Sequence, residues 1–299
     1  MKILNKIKKY LRGKYLHENW NIGFVSTGIK DVLNSDSWDI SWLNHDYRDR
    51  FFADPFILEA NDKNIIVLAE EFYYPDYKGR IVKLTIGRES FFLMKNEPVL
   101  DLETHLSFPA IFRHNNKIWI YPENSAAGKL VLYQFDVMNN KVIPASVLSA
   151  EPLTDAVITE LFGEPYLFTT RLPDDSGFIL SIYKSEQWNG HFELLQTVEF
   201  GEKIARNAGN IFELDGMILR PAQDCSKGYG KGLVLQIINQ ENGSFLFIEY
   251  KRFYPASKKY NSGLHTFNFS ENHDIIAVDG CFLPLINKIM MKLYYRKAI

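Results

Sequence analysis

The sequence predicts an all-β fold, a five-bladed β-propeller with short basic amphipathic helices at both termini, on three observations. Aromatic content is high, with 22 Phe and 16 Tyr among 299 residues, and aromatic and β-branched side chains suit strands. Apolar runs of strand length alternate with Gly, Pro, Asn and Asp, while helix-period segments are confined to the two ends. One order of parts recurs at intervals of roughly 47–57 residues, the range of four-stranded propeller blades. A β-sandwich is the rival architecture, but it does not return a polar cluster to the same place in every unit.

Composition narrows the function classes. A net charge of -2 without a dominant basic face argues against nucleic acid, whose phosphates need one. Two cysteines, Cys225 and Cys281, are too few for a disulfide framework in a chain of this length and imply a reduced compartment. Neither a signal-peptide stretch nor a run of eighteen apolar residues is present. The expected location is cytoplasmic, with an anionic membrane surface as a possible partner and a peripheral position on the inner membrane face.

Taken in order, residues 1–15 place Ile3, Leu4, Ile7, Tyr10 and Leu11 at helical spacing among six lysines and arginines. Residues 284–299 mirror them, with Leu285, Ile286, Ile289, Met290 and Leu293 on one face and basic residues around it. Such helices either lie on anionic lipid or cap the domain and pack on each other.

The propeller is expected over 16–283. Its units open at Ala53–Leu58, Ser107–Phe112, Asp155–Ile158, Arg206–Leu214 and Gly263–Phe269. Each continues through a second apolar run, a polar cluster and, in the first four, a Gly-containing turn and a third run. The last unit stops at Asp274–Asp279, short of a full sheet. The segments Asn21–Ser26 and Trp38–Leu43 are left to complete it and close the ring, since an incomplete sheet exposes its edges.

Innermost strands of a propeller line a central funnel, so the polar groups at their starts and at the ends of the second strands converge. That gathers Asp54, Asp155, Arg206, Asn207 and His265 with Glu70, Glu71, Glu123, Arg171, Arg220, Gln223, Asp224 and Asp279. Paired carboxylates across a funnel suit acid, base or nucleophile roles in glycosidic chemistry. Asp54 is the candidate base and Asp155 or Glu123 the candidate acid. Arg171, Arg206 and Arg220 are candidate bidentate clamps for a carboxylate or phosphate, and His105 and His265 candidate ligands of sugar hydroxyls.

The seven histidines show no metal-ligand spacing, and neither a nucleophile elbow nor a dinucleotide fingerprint occurs. No cofactor and no metal are expected. Gly228–Gly232 superficially matches a phosphate loop, but a β run follows it, so a hairpin turn is the better reading.

Phe52-Ala-Asp-Pro-Phe56, Ser107-Phe-Pro109, Tyr121-Pro-Glu-Asn124, Asp155-Ala-Val157, Arg220-Pro-Ala-Gln-Asp224 with Tyr229-Gly230, and His265-Thr-Phe267 together resemble the N-terminal domain of the plant glucosamine inositolphosphorylceramide transferases and its bacterial relatives. The resemblance extends over roughly residues 45–283. It implies a five-bladed propeller related to arabinanase and β-fructosidase-type glycosidases, in glycolipid or surface-polysaccharide synthesis, and adds Tyr229 to the substrate-binding set. Asp54 and Asp155 fall where that comparison expects acids, whereas the second blade has Phe108 at the position matching Asp54.

Three functions follow as expectations. The first is transfer or remodelling of a glycosyl group on a sugar-containing, anionic substrate such as a nucleotide sugar or lipid-linked glycan. The others are a glycoside hydrolase and a non-catalytic glycan-binding or scaffold module.

Overall fold

The computed structural model describes residues 5, 6, 10, 11, 14, 15, 18–173, 176–287 and 289. Most of the two expected terminal helices, including Ile3, Leu4, Ile7, Met290 and Leu293, lies outside the described residues. From the N-terminal side come β1 (Asn19–Val25), α1 (Ile29–Asn34) and β2 (Ser41–Trp42). Blade I follows as β3 (Arg50–Ala60), β4 (Asn64–Tyr73), β5 (Lys78–Gly87) and β6 (Leu93–Leu100). Blade II is β7 (Ser107–His114), β8 (Lys117–Glu123), β9 (Leu130–Asp136) and β10 (Lys141–Ser149). Blade III is β11 (Leu153–Leu161), β12 (Glu164–Arg171), β13 (Ile179–Lys184) and β14 (Glu193–Glu199). Blade IV is β15 (Phe212–Leu214), β16 (Met217–Asp224), β17 (Gly232–Glu241) and β18 (Ser244–Phe253), before β19 (Phe267–Phe269) and β20 (Ile276–Phe282).

These form five antiparallel sheets of four strands, a five-bladed propeller. Blade V has the order β19-β20-β1-β2, so both ends of the chain share one sheet, with Asn19 opposite Phe282 and Val25 opposite Ile276.

Local chemistry explains the hairpins. Asn115-Asn116, Phe162-Gly163, Asp215-Gly216 and Asn242-Gly243 are two-residue connections with both φ angles positive. That is the turn whose twist matches paired strands, and Asn, Asp and Gly enter it at low cost. Gly228–Gly232 spans the turn between β16 and the start of β17. Burial falls from the axis outward. The innermost β3 and β11 are buried on both faces for most of their length, whereas β10, β14 and β18 leave alternate or longer stretches exposed.

Helix α1 lies in the stretch between the termini where the sequence shows almost no helix-period segment. Ile29, Val32 and Leu33 stand one turn apart and bury against Phe212, Leu219, Leu235 and Phe253 of blade IV. Lys251 Nζ donates to the carbonyls of Leu33 and Ser35, both at 2.9 Å, so a cation closes the helix C-terminus where its carbonyls lack partners. Six residues are too short for the periodicity to stand out from strand alternation. At the chain ends, Tyr10 meets the edge of Tyr74 with ring centroids 6.1 Å apart, and Asn287 donates to the Lys14 carbonyl at 2.9 Å.

The join between blades IV and V depends on a missing side chain. Phe267 N–H donates to the Ala208 carbonyl at 2.7 Å, and a Cβ on Gly209 would lie 2.0 Å from the Phe267 carbonyl oxygen. Gly209→Ala must push two backbones apart, and a loss of about 1–3 kcal/mol is expected. A denaturant midpoint equal to that of wild type would refute this account of the join.

Candidate functional site

The site is built on a repeated backbone distortion. Asp54, Phe108 and Asp155 occupy matching positions in β3, β7 and β11, with φ of 51°, 43° and 48°. Each lies where the register with the second strand slips, between Ala53 and Phe56, Ser107 and Pro109, and Thr154 and Val157. Such a bulge releases a backbone N–H from the ladder. All three freed groups find carboxylates. Asp54 N–H donates to Asp279 Oδ2 at 3.3 Å, Phe108 N–H to Asp54 Oδ2 at 3.0 Å, and Asp155 N–H to Glu123 Oε2 at 2.9 Å.

The blades are thereby tied one to the next. Phe108 supplies an N–H but no acceptor for the following blade, and its ring packs on the edge of Phe56 at 5.0 Å. Glu123, from the adjacent β8, reaches in to accept the Asp155 N–H instead. The acid constellation is incomplete at residue 108, and Glu123 fills its hydrogen-bonding role from another strand.

Around Asp54, Thr266 Oγ1 donates at 3.2 Å to Asp54 Oδ1 and at 2.8 Å to Asp279 Oδ2 as alternative acceptors. The N–H groups of His265 and Thr266 both donate to Asp279 Oδ1 at 3.0 Å. His265 Nδ1 lies 2.6 Å from Asp279 and 3.9 Å from Asp54. Burial works against charge on this imidazole, but Asp279 outweighs it and, with Asp54, raises the His265 pKa to about 9. Asp279 is lowered in turn, His265 overcoming the effect of burial. Asp54, His265 and Asp279 are the one group of potential metal ligands among the described residues. Their ligand atoms are already engaged with one another and with Thr266.

Asp155 is clamped by blade IV. Arg206 Nε donates to its Oδ2 at 2.7 Å, Gln223 Nε2 to the same oxygen at 3.2 Å, and Asn207 Nδ2 to its carbonyl at 2.7 Å. The Arg206 guanidinium stands 5.3 Å from the centre of the Tyr229 ring, and Tyr229 meets the edge of His265 at 5.3 Å. Glu70 faces the same space. His105 Nδ1 accepts the Gly79 N–H at 2.9 Å, which leaves Nε2 to face Glu70 at 3.4 Å.

Three acids are held above their ordinary range. Burial pushes Asp54 up to about 6, with His265 opposing and Asp279 and Asp155 adding to the rise. Burial and Asp155 push Glu123 up to about 8 against the pull of Arg206. Burial, then Asp54, Glu123 and Asp279, hold Glu70 well above its usual value. Near neutral pH the site thus pairs a mostly ionised Asp54 with a mostly protonated Glu123, the division of labour that acid–base chemistry needs.

Four expected site residues lie elsewhere. Glu71 alternates to the opposite side of β4 from Glu70, where Arg50, Arg80 and Asn96 bind its oxygens. Arg220 is fully buried inside blade IV, donating to Asn207 Oδ1 at 2.7 Å, to the Ile204 carbonyl at 3.3 Å, and to Gln236 Oε1 and the Ala205 carbonyl. It holds Asn207 in place and, with its donors engaged inside the blade, is not a clamp for a ligand in the funnel. Asp224 ties the turn after β16 to β18 through Ser226 N–H, Arg252 and the Tyr254 hydroxyl. Arg171 pairs with Glu151 at 2.9 Å on the exposed side of blade III.

The sequence reading missed Trp20. It is only 7% exposed, and its indole stacks on the His265 ring with centroids 3.8 Å apart and planes at 12°. Thr266 was also missed, although it sits inside the His-Thr-Phe triplet.

Residues 39–275 match the family described as glucosamine inositolphosphorylceramide transferase 1, N-terminal. Relatives of that name from Oryza sativa subsp. japonica and Arabidopsis thaliana are 29% identical over 206 residues and 28% over 230. Those alignments cover 65% and 72% of this chain but 27% and 29% of the plant proteins, so the chain spans under a third of these relatives' length. Among solved structures, a β-xylosidase superposes with a TM-score of 0.53 at 10% identity, covering 72% of this chain and 81% of its own. A thermostable family-43 glycoside hydrolase gives 0.53 at 12%, covering 74% and 86%. At such identities the likeness shows the fold alone.

Two outcomes test this geometry. A carboxyl with a raised folded pKa contributes stability that is complete below its unfolded value and is lost as pH rises through the folded one. Glu123→Gln is therefore expected to match wild type in melting temperature near pH 4.5 and exceed it at pH 9, by about 2–4 °C per kcal/mol. No gain at pH 9 would mean that Glu123 is not a buried acid of raised pKa. Arg220→Met strands several buried acceptors, and a destabilisation of at least about 3 kcal/mol is expected. A urea midpoint within error of wild type would refute this structural role for Arg220.

Proposed function

Since this chain belongs to the family of glucosamine inositolphosphorylceramide transferase 1 N-terminal regions, we propose that it acts in glycolipid or surface-polysaccharide synthesis, transferring or remodelling a glycosyl group. The observation that carries this reading is the placement in one funnel of two enclosed carboxyls, Asp54 bonded to the Phe108 N–H and Glu123 to the Asp155 N–H, with burial raising both above their ordinary pKa. Asp54 takes the proton of an acceptor hydroxyl as that oxygen bonds to the sugar. Glu123 gives its proton to the departing oxygen as the old bond breaks. Asp155, fixed by Arg206 and Gln223, positions Glu123 through its N–H. Tyr229, 48% exposed, offers a ring to the sugar. The substrate class is a sugar-bearing molecule such as a nucleotide sugar or lipid-linked glycan, a reading that rests on the family and not on the arginines, since Arg171 and Arg220 lie elsewhere and Arg206 is committed to Asp155.

A second reading, glycan binding without turnover, is favoured by the enclosure of Asp54 and Asp155, 7% and 4% exposed, and by the Arg206 clamp. A thermal-shift screen against nucleotide sugars, sugar phosphates and neutral oligosaccharides separates the two, because a ligand of the native state raises the melting temperature. The expected result is a shift with an anionic sugar compound, followed by turnover with a bell-shaped pH profile whose limbs lie near 6 and 8. Asp54→Asn and Glu123→Gln should each lower kcat by about 10²–10⁴. Stabilising ligands without turnover would select the binding reading, and hydrolysis of a neutral oligosaccharide would select a glycoside hydrolase.

A further inference from the structure

One acid of the funnel has no task in the proposed transfer. Glu70 stands opposite Ala53, the residue before Asp54, in the register of β3 and β4. The charges that face it are Asp54 from β3, Glu123 from β8 and Asp279 from β20, together with His105 from the segment before β7. The other funnel acids spend their oxygens on the protein. Asp54 accepts from Phe108 N–H, Glu123 from Asp155 N–H, Asp155 from Arg206 and Asp279 from His265 N–H. Glu70 accepts no hydrogen bond among the described residues. Neither of its oxygens is sealed: the side chain keeps 9% exposure, and no Glu70 atom is among the fully buried polar atoms that lack a partner.

The surroundings of Glu70 set which oxygen is free. His105 Nδ1 accepts the Gly79 N–H at 2.9 Å, so in the neutral ring the proton is on Nε2. Nε2 faces Glu70 Oε1 at 3.4 Å, longer than an ordinary N–H···O bond. A Cβ on Gly79 would lie 2.5 Å from Glu70 Oε1 and 2.7 Å from His105 Cε1, so the missing side chain makes the room in which acid and imidazole meet. With Oε1 toward His105, Oε2 is left to the funnel. Burial, then Asp54, Glu123 and Asp279, favour the neutral acid, which carries a hydroxyl where a carboxylate has only acceptors.

We propose that Glu70 is a third acid of the site and contacts the ligand, its Oε2 hydroxyl donating a hydrogen bond to an oxygen of the molecule bound in the funnel. A carboxylate at this place only accepts, and so selects sugar hydroxyls. A neutral acid also recognises oxygens that carry no hydrogen, such as ring and glycosidic oxygens. Glu70 is thereby a specificity-determining residue, because a ligand without an oxygen at that point leaves an enclosed hydroxyl unmet. The inference rests on the proposed function only in taking the ligand to be a sugar-bearing molecule.

Two measurements on the full chain test it. The first is amidation with methylamine and the water-soluble carbodiimide EDC at pH 8, mapped by peptide mass. EDC activates protonated carboxyls, and ordinary surface carboxylates have lost their protons at that pH. The expected result is an amide at Glu70, formed at least about tenfold faster than at the exposed Glu59 and Glu89. An unlabelled Glu70 overturns the proposal, since an oxygen closed to these small reagents is closed to a ligand. The second is calorimetric titration with UDP-glucose at pH 7. Glu70→Leu removes the donor and is expected to weaken binding about tenfold, whereas Glu70→Gln restores a donor and recovers most of the loss. Equal binding by wild type and Glu70→Leu overturns the proposal and leaves the proposed reaction standing. Labelling of Glu70 without UDP-glucose binding by wild type supports Glu70 and counts against a nucleotide-sugar substrate.

Discussion

The structure depends on three backbone N–H groups turned out of their ladders toward the axis and received by carboxylates. A left-handed backbone at a residue other than glycine costs about 1–3 kcal/mol, and Asp54, Phe108 and Asp155 all adopt it. The compensation is local. A hydrogen bond to a charged or strongly polar acceptor returns about 1.5–3 kcal/mol, and a buried N–H left without one costs a similar amount. The distortion and the acid are therefore coupled: neither is tolerable without the other. Because each acceptor belongs to a neighbouring strand or blade, the same bonds set the spacing of the blades around the funnel.

This arrangement explains why the acids are both enclosed and poised. Asp54 and Glu123, which receive backbone N–H groups, and Glu70 beside them are buried close to other carboxyls, and burial plus that repulsion raises all three, against the lowering effect of the N–H bonds on the first two. Cations are placed selectively. Arg206 takes Asp155 and His265 takes Asp279, while Arg220 works one layer behind by fixing Asn207. The charges that remain without a dedicated cation are those with raised pKa values, which is the condition for proton exchange near neutral pH.

The architecture is legible in the sequence because propeller blades repeat, and repetition survives uncertainty about any single strand. Asp54, Asp155, Glu123, Arg206, Asn207, Gln223 and His265 are brought together as their matching places in the repeat suggest. What the repeat conceals is the side of the strand. Glu70 and Glu71 are adjacent in sequence, and period-two alternation sends only the first to the funnel. Arg220 reads as an exposed arginine because its acceptors, two carbonyls and two amides, carry no charge and leave no trace in a charge pattern. Trp20 lies in β1, 245 positions before its stacking partner by residue number, and no local signal connects the two. Helix α1 is hidden by its brevity.

The fifth blade gives the molecule a temporal order as well as a spatial one. Asp54 and the carboxylate that receives its N–H are 225 positions apart, and β1 finds β20 only when the last strand of the ring exists. During synthesis on a ribosome, blades I to IV can pair their own strands as they emerge, since their contacts are sequential. The acid cluster cannot assemble until Asp279 has left the exit tunnel. A chain cut before β20 is thus left with a set of blades and no completed centre, so assembly of the acid cluster is coupled to closure of the ring.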